Sequence, residues 1–156
     1  SKVDPKEMKK RQEQIKPGTC CLLIYTSGTT GQDGSCQQNS CTKNTNVAPK
    51  SYTDVTKNND AALETALNIN PVSVAIQANQ PAFQFYSGGV LTGDCGTRLD
   101  HGVLAVGYGT DNGQAYYLVK NSWNTTWGDQ GYIKIANNGD GAGICGIQMA
   151  AVRPSC

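Results

Sequence analysis

Two β-rich runs around a turn signal constrain this chain more than any other feature. Residues 103–108 and 115–120 are apolar and rich in β-branched and aromatic side chains, and Gly109-Thr110-Asp111-Asn112-Gly113 between them reads as a hairpin connection. His101, the only histidine, opens the first run; Asn121 closes the second, and Trp123 and Trp127 follow it. An Asn side-chain oxygen on the neighbouring strand can accept one imidazole N–H. That fixes the tautomer and aims the other ring nitrogen at a nucleophile, while an indole beside the pair keeps water off the bond. The bland alternative is a core histidine with its hydrogen bonds satisfied.

The rest of the chain supplies more strands and little helix. Val72, Val74 and Ile76 alternate with Ser73, Ala75 and Gln77, the pattern of a half-buried strand. Leu63, Ala66 and Leu67 fall on one face of a short helix, with Asn58, Asn59 and Asp60 as N-cap candidates and Asn70-Pro71 as its stop. Pro81 suits the first turn of a second short helix running to Tyr86. Residues 131–136 and 147–152 read as the last strands. The predicted body, 51–154, is a β-dominated α+β domain, antiparallel and barrel-like. Before it lie a polar connector, 32–50, and a poorly packed N-terminal arm, 1–31.

Composition excludes some classes of partner. Charged residues make up 16% and the net charge is +1, so there is no footprint for nucleic acid and no polybasic membrane patch. No apolar run approaches the roughly 20 residues of a spanning helix, and the first residues lack the apolar core of a signal peptide. Seven cysteines point to an oxidising compartment. Asn124-Thr125-Thr126 is an N-glycosylation sequon, usable only on a secreted chain.

At Leu99-Asp100-His101-Gly102-Val103 and Lys120-Asn121-Ser122-Trp123 the chain resembles the C-terminal half of papain-like cysteine peptidases. Asn70-Pro71-Val72-Ser73-Val74, Tyr86-Ser87-Gly88-Gly89-Val90, Gly93-Asp94-Cys95-Gly96 and Gly143-Ile144-Cys145-Gly146 add to the likeness, which runs from about residue 33 to 154. The resemblance implies the barrel-like right-hand domain of that fold and hydrolysis of peptide or protein substrates. It implies His101 as acid and base, Asn121 as its orienter, and Trp123 and Trp127 in support. It further implies a Cys95–Cys145 disulfide, a pocket lined by Ala75, Leu99, Gly102 and Ala150, no cofactor and no metal, and a secreted, lysosomal or vacuolar setting. For Asp100 two readings stand: a surface hydrogen bond near His101, or a plain solvated carboxylate.

The family's helical half, with its C-G-S-C-W nucleophile segment, is missing from these 156 residues. Cys36 follows Gly34-Ser35 but precedes Gln37-Gln38-Asn39, not an aromatic helix start. It also lies 65 residues before His101, about half the spacing such sites use. The expectation is therefore a chain inactive alone, whose exposed face around His101 takes up a separate helical half or a second copy. A non-catalytic peptide-binding or inhibitory pseudo-enzyme is the alternative from another class. Residues 1–31 add a second resemblance: Tyr25-Thr26-Ser27-Gly28-Thr29-Thr30-Gly31 is similar to the phosphate loop of adenylate-forming acyl-CoA synthetases. Tyr25-Thr26-Ser27-Gly28, read on to Gly34-Ser35-Cys36, is also similar to the peptidase family's loop before a half-cystine, so the two resemblances overlap at 25–31, as they would in a chimera carrying a fragment of such a synthetase.

Overall fold

Side-chain alternation decides most of the strands, and turn chemistry decides where they stop. A computed structural model describes residues 50–93 and 95–155. The arm (1–31), nearly all of the connector (32–50), and Cys20, Cys21, Cys36, Cys41 and Cys156 lie outside these residues. The elements in order are β1 (Ser51–Asp54), α1 (Asp60–Leu67), β2 (Val72–Ile76), α2 (Pro81–Gln84), β3 (Val90–Leu91), β4 (His101–Asp111), β5 (Gln114–Lys120), β6 (Tyr132–Ala136), a 3₁₀ turn (Ile144–Gly146) and β7 (Ala151–Ser155). They form one seven-stranded sheet in the order β1-β7-β2-β4-β5-β6-β3. Only β3 and β6 pair in parallel. The fold is a β-dominated α+β, as the sequence implies, and among the described residues no helix is long and apolar enough to cross a membrane.

The β4–β5 hairpin is tighter than its sequence suggests. Pairing runs to Asp111↔Gln114, leaving a two-residue connection. Asn112 and Gly113 both have positive φ, 49° and 84°, which a type I′ turn demands and which Asn-Gly meets at least cost. Gly109, Thr110 and Asp111 thus belong to the strand. The inward faces of four strands meet in register: Val74 opposes Val103, Ala105 opposes Val119, and Val119 opposes Ile133. None of these is more than 2% exposed, and burying each such Val or Ile contributes about 1.5–3 kcal/mol. The register shifts between Ala105 and Gly107, a bulge that lets β4 bend past its partner.

Helix α1 closes the core from one side. Asn59 caps it, Oδ1 accepting the Ala62 N–H at 2.7 Å, which fills one of the orphan donors of the first turn. Leu63, Ala66 and Leu67 face inward. A polar clasp fixes the helix start: Tyr117 donates its hydroxyl to Asp60 Oδ1 at 2.6 Å, and Asn137 Nδ2 donates to the same oxygen at 2.7 Å and to Glu64 Oε1 at 3.3 Å. Burial pushes the Tyr117 hydroxyl pKa up, reinforced by Asp60. Burial, then the Asp60 charge, likewise raises the Glu64 carboxyl, against the Asn137 hydrogen bond.

The last predicted strand is displaced. Residues 147–149 are not strand: Ile147 and Met149 donate N–H groups to Ile144 and Gly146 carbonyls, so the chain spools through successive turns. Positive φ at Gly143, Cys145 and Gly146 (72°, 59° and 72°) makes that spooling possible. Pairing begins at Ala151, where β7 fits between β1 and β2. The expected Cys95–Cys145 disulfide is present and closes a 50-residue separation.

Candidate functional site

His101 and Asn121 are brought together by neighbouring central strands. His101 is the first residue of β4, paired with Ile76 of β2; Asn121 directly follows β5, its N–H held by the Gly131 carbonyl at 2.9 Å. Their side chains meet, Nε2 of His101 lying 2.9 Å from Oδ1 of Asn121. The Ser122 N–H also donates to that oxygen, at 2.7 Å. A main-chain N–H can only donate, so the atom it meets is the amide oxygen and the ring nitrogen facing it must carry its proton. Nδ1 of His101 is thereby left as an acceptor. Asn121 is buried at 5% exposure, in surroundings that strengthen the bond. Burial also lowers the pKa of the adjacent Lys120.

Trp123 lies over the imidazole, ring centroids 5.2 Å apart and planes 29° from parallel. Trp127 does not reach His101. It meets Trp123 edge-on at 5.4 Å, packs on Phe83 at 5.0 Å, and donates Nε1–H to the Gln84 carbonyl at 2.9 Å. Phe83 is the hub of this cluster: fully buried, it makes T-shaped contacts with His101 at 6.5 Å and with Trp123 at 5.5 Å. Gly128 lets the chain turn after Trp127; its φ is +60°, and an added Cβ would stand 2.5 Å from the Tyr132 carbonyl oxygen. Trp123 stays 37% exposed and Phe85 80% exposed beside the buried members. Sequence reasoning missed Phe83 and Tyr86. Their i, i+3 spacing around α2 was the signal that one helical face feeds the tryptophans.

Asp100 does hold a hydrogen bond beside His101, to main chain: Oδ1 accepts the Ala78 N–H and its own N–H reaches the Ile76 carbonyl. The carboxylate thus staples the end of β2 to the start of β4. Gln77, buried between them, accepts the Arg98 N–H through Oε1 and donates its own N–H to the Cys145 carbonyl. The disulfide and the approach to His101 are therefore one connected unit. On the face of β2 away from the core, Ala75 pairs with Gly102 and donates its N–H to the Ala150 carbonyl. Leu99 lies over Gly146, where an added Cβ would stand 2.7 Å from Leu99 Cδ2 and 3.1 Å from Met149 Sδ. Met149 is a neighbour the sequence did not flag.

Residues 7–155 match the family model described as papain family cysteine protease. The chain belongs to the papain family. It is 54% identical over 124 residues to "Probable cysteine protease RD21B" of Arabidopsis thaliana, covering 78% of this chain and 26% of that protein. It is 46% identical over 125 residues to "Probable cysteine protease RDL6" of the same plant, covering 80% of this chain and 35% of that one. The chain thus spans about a quarter to a third of these curated relatives. Among solved structures, the bromelain protease from Ananas comosus in complex with the E64 inhibitor superposes with a TM-score of 0.72 at 39% identity, covering 81% of this chain and 59% of that one. The described domain matches the right-hand, sheet-dominated domain of the papain-like fold. The papain-family match also runs through residues 25–31; the acyl-CoA synthetase likeness that the sequence suggests for that stretch is not shown by the comparisons.

Proposed function

We propose that this chain supplies the His/Asn half of a thiol peptidase site and hydrolyses peptide bonds when a cysteine from the helical half of the papain fold stands against Nδ1 of His101. The carrying observation is the Ser122–Asn121–His101 arrangement, which leaves Nδ1 as the ring's acceptor. There Nδ1 takes the thiol proton, and the thiolate adds to the scissile carbonyl. The imidazolium returns the proton to the leaving amine as the C–N bond breaks. A water activated by the same nitrogen then cleaves the acyl–sulfur bond. Asn121 holds the ring plane throughout, and Trp123 limits water at its face. Ala75, Leu99, Gly102 and Ala150, with Met149 beside them, offer a small apolar surface for a substrate side chain. The chemistry needs no cofactor. A disulfide-permitting compartment, secretory, vacuolar or lysosomal, fits the Cys95–Cys145 bridge.

The C-G-S-C-W segment does not occur in the 156 residues, so we propose no turnover by this chain alone. That same fact favours the second reading, a peptide-binding pseudo-enzyme. A fluorogenic peptide with an apolar side chain separates them. Turnover on adding a family helical half, lost in His101→Ala, supports the peptidase half-site. Peptide binding with no turnover in that mixture supports the pseudo-enzyme. Turnover by the chain alone, abolished by Cys36→Ala, overturns the assignment of the nucleophile to another segment. The exposed Trp123 and Phe85 are where the helical half or a second copy would dock, and size-exclusion across a concentration series reads that association.

A further inference from the structure

The loop after Asn121 carries a signal that the site chemistry leaves unused. Asn124-Thr125-Thr126 is the only Asn-Xaa-Ser/Thr sequence in the chain, and its central residue is not proline, so the acceptor pattern for N-linked glycosylation is complete. All three residues are exposed. They sit in a loop between two anchored tryptophans, where a bulky substituent meets solvent and not core. Asn124 has φ +72°, a conformation that Asn enters more easily than other residues with a Cβ. Its Oδ1 accepts the Thr125 N–H at 2.6 Å and the Thr125 hydroxyl at 3.3 Å, so the amide is held from its oxygen side. The Cys95–Cys145 bridge independently fits the oxidising route on which such glycans are added.

We propose that Asn124 is an N-glycan attachment site on the rim of the His101 site. In the transfer, Nδ2 of Asn124 attacks the anomeric carbon of a polyprenyl-pyrophosphate-linked oligosaccharide. The bond from that carbon to the pyrophosphate oxygen breaks, its electron pair leaving with the lipid pyrophosphate. Nδ2 loses one proton, and the new C–N bond carries the sugar. The glycan then stands one residue from Trp123, whose indole lies over His101. The His101–Asn121 bond is untouched, because Asn121 is buried.

The test reads the nascent chain and so does not depend on folding or on peptidase activity. The full chain behind a cleavable secretory leader is translated with rough microsomes. The leader-cleaved product is expected to carry a single upward shift removed by endoglycosidase H. Asn124→Asp, which keeps an acceptor for the Thr125 N–H, and Thr126→Ala, which keeps Asn124, should each abolish it; Thr126→Ser should retain it. Leader cleavage without a shift, or a shift that survives both variants, overturns the proposal.

Discussion

Asp100 Oδ1 accepts the main-chain N–H of Ala78 at 2.7 Å, and the residue after Asp100 is His101. Ala78 is 3% exposed while Asp100 is itself exposed, so removing the carboxylate exchanges this bond for one to water. Asp100→Ala should cost about 1.5–3 kcal/mol, the usual net worth of a hydrogen bond to a charged group. Asp100→Asn keeps an acceptor oxygen and should cost less. Urea denaturation distinguishes the two; equal losses would move the effect from the acceptor to the charge.

Because His101 is the only histidine, its tautomer can be read without assignment. Nitrogen-15 NMR of the neutral imidazole should show the proton on Nε2. Asn121→Ala removes the acceptor that selects this form and should give a mixture of tautomers. In an assembled enzyme, His101→Ala should lower activity by about 10²–10⁴-fold, the usual weight of acid–base catalysis. A wild-type spectrum with the proton on Nδ1 would contradict the hydrogen bond to Asn121.

Opening the Cys95–Cys145 bridge releases a 50-residue separation in the unfolded chain. The chain-entropy model puts the loss at about 4 kcal/mol. The double change Cys95→Ser with Cys145→Ser should therefore lower the denaturation midpoint sharply. An unchanged midpoint would mean that Gln77 and the surrounding main-chain bonds hold the loop unaided.

Glu64 should make stability fall with rising pH. Burial and then Asp60 raise its folded pKa above its ordinary value. A carboxyl raised in this way contributes stability that is fully present below its unfolded pKa and is lost as pH rises through the folded one. Glu64→Gln should thus raise the melting temperature near neutral pH, and the gain should vanish in acid, where wild-type Glu64 is also uncharged. A gain of equal size in acid would point to packing and not to ionisation.

The hairpin and the His/Asn pair were legible because both are local signals: alternation on each strand, Asn-Gly between them, and the two site residues at matching strand ends. α1 was legible for the same reason, its apolar face and its Asn59 cap lying within a few residues. β3 was not. Its two residues hold no alternation, and they pair with β6 across 44 positions, Val90↔Lys134. Of the strand predicted at 147–152 only Ala151 and Val152 are strand, because apolar content alone does not separate a strand from a buried turn; the positive φ at Cys145 is invisible in composition. Phe83 was missed because its importance comes from tryptophans 40 and 44 residues later.

The order β1-β7-β2-β4-β5-β6-β3 places the His101–Asn121 pair on the innermost strands and leaves fraying to the margins. Openings that release β1 or β3 cost little ladder and leave β4 and β5 clamped on both sides. Amide protons of Val103, Ala105, Tyr117 and Val119 should then exchange among the slowest in the molecule, by global opening only. The imidazole and its orienting amide would be among the last features the protein gives up as it comes apart, and among those that survive trimming of either margin.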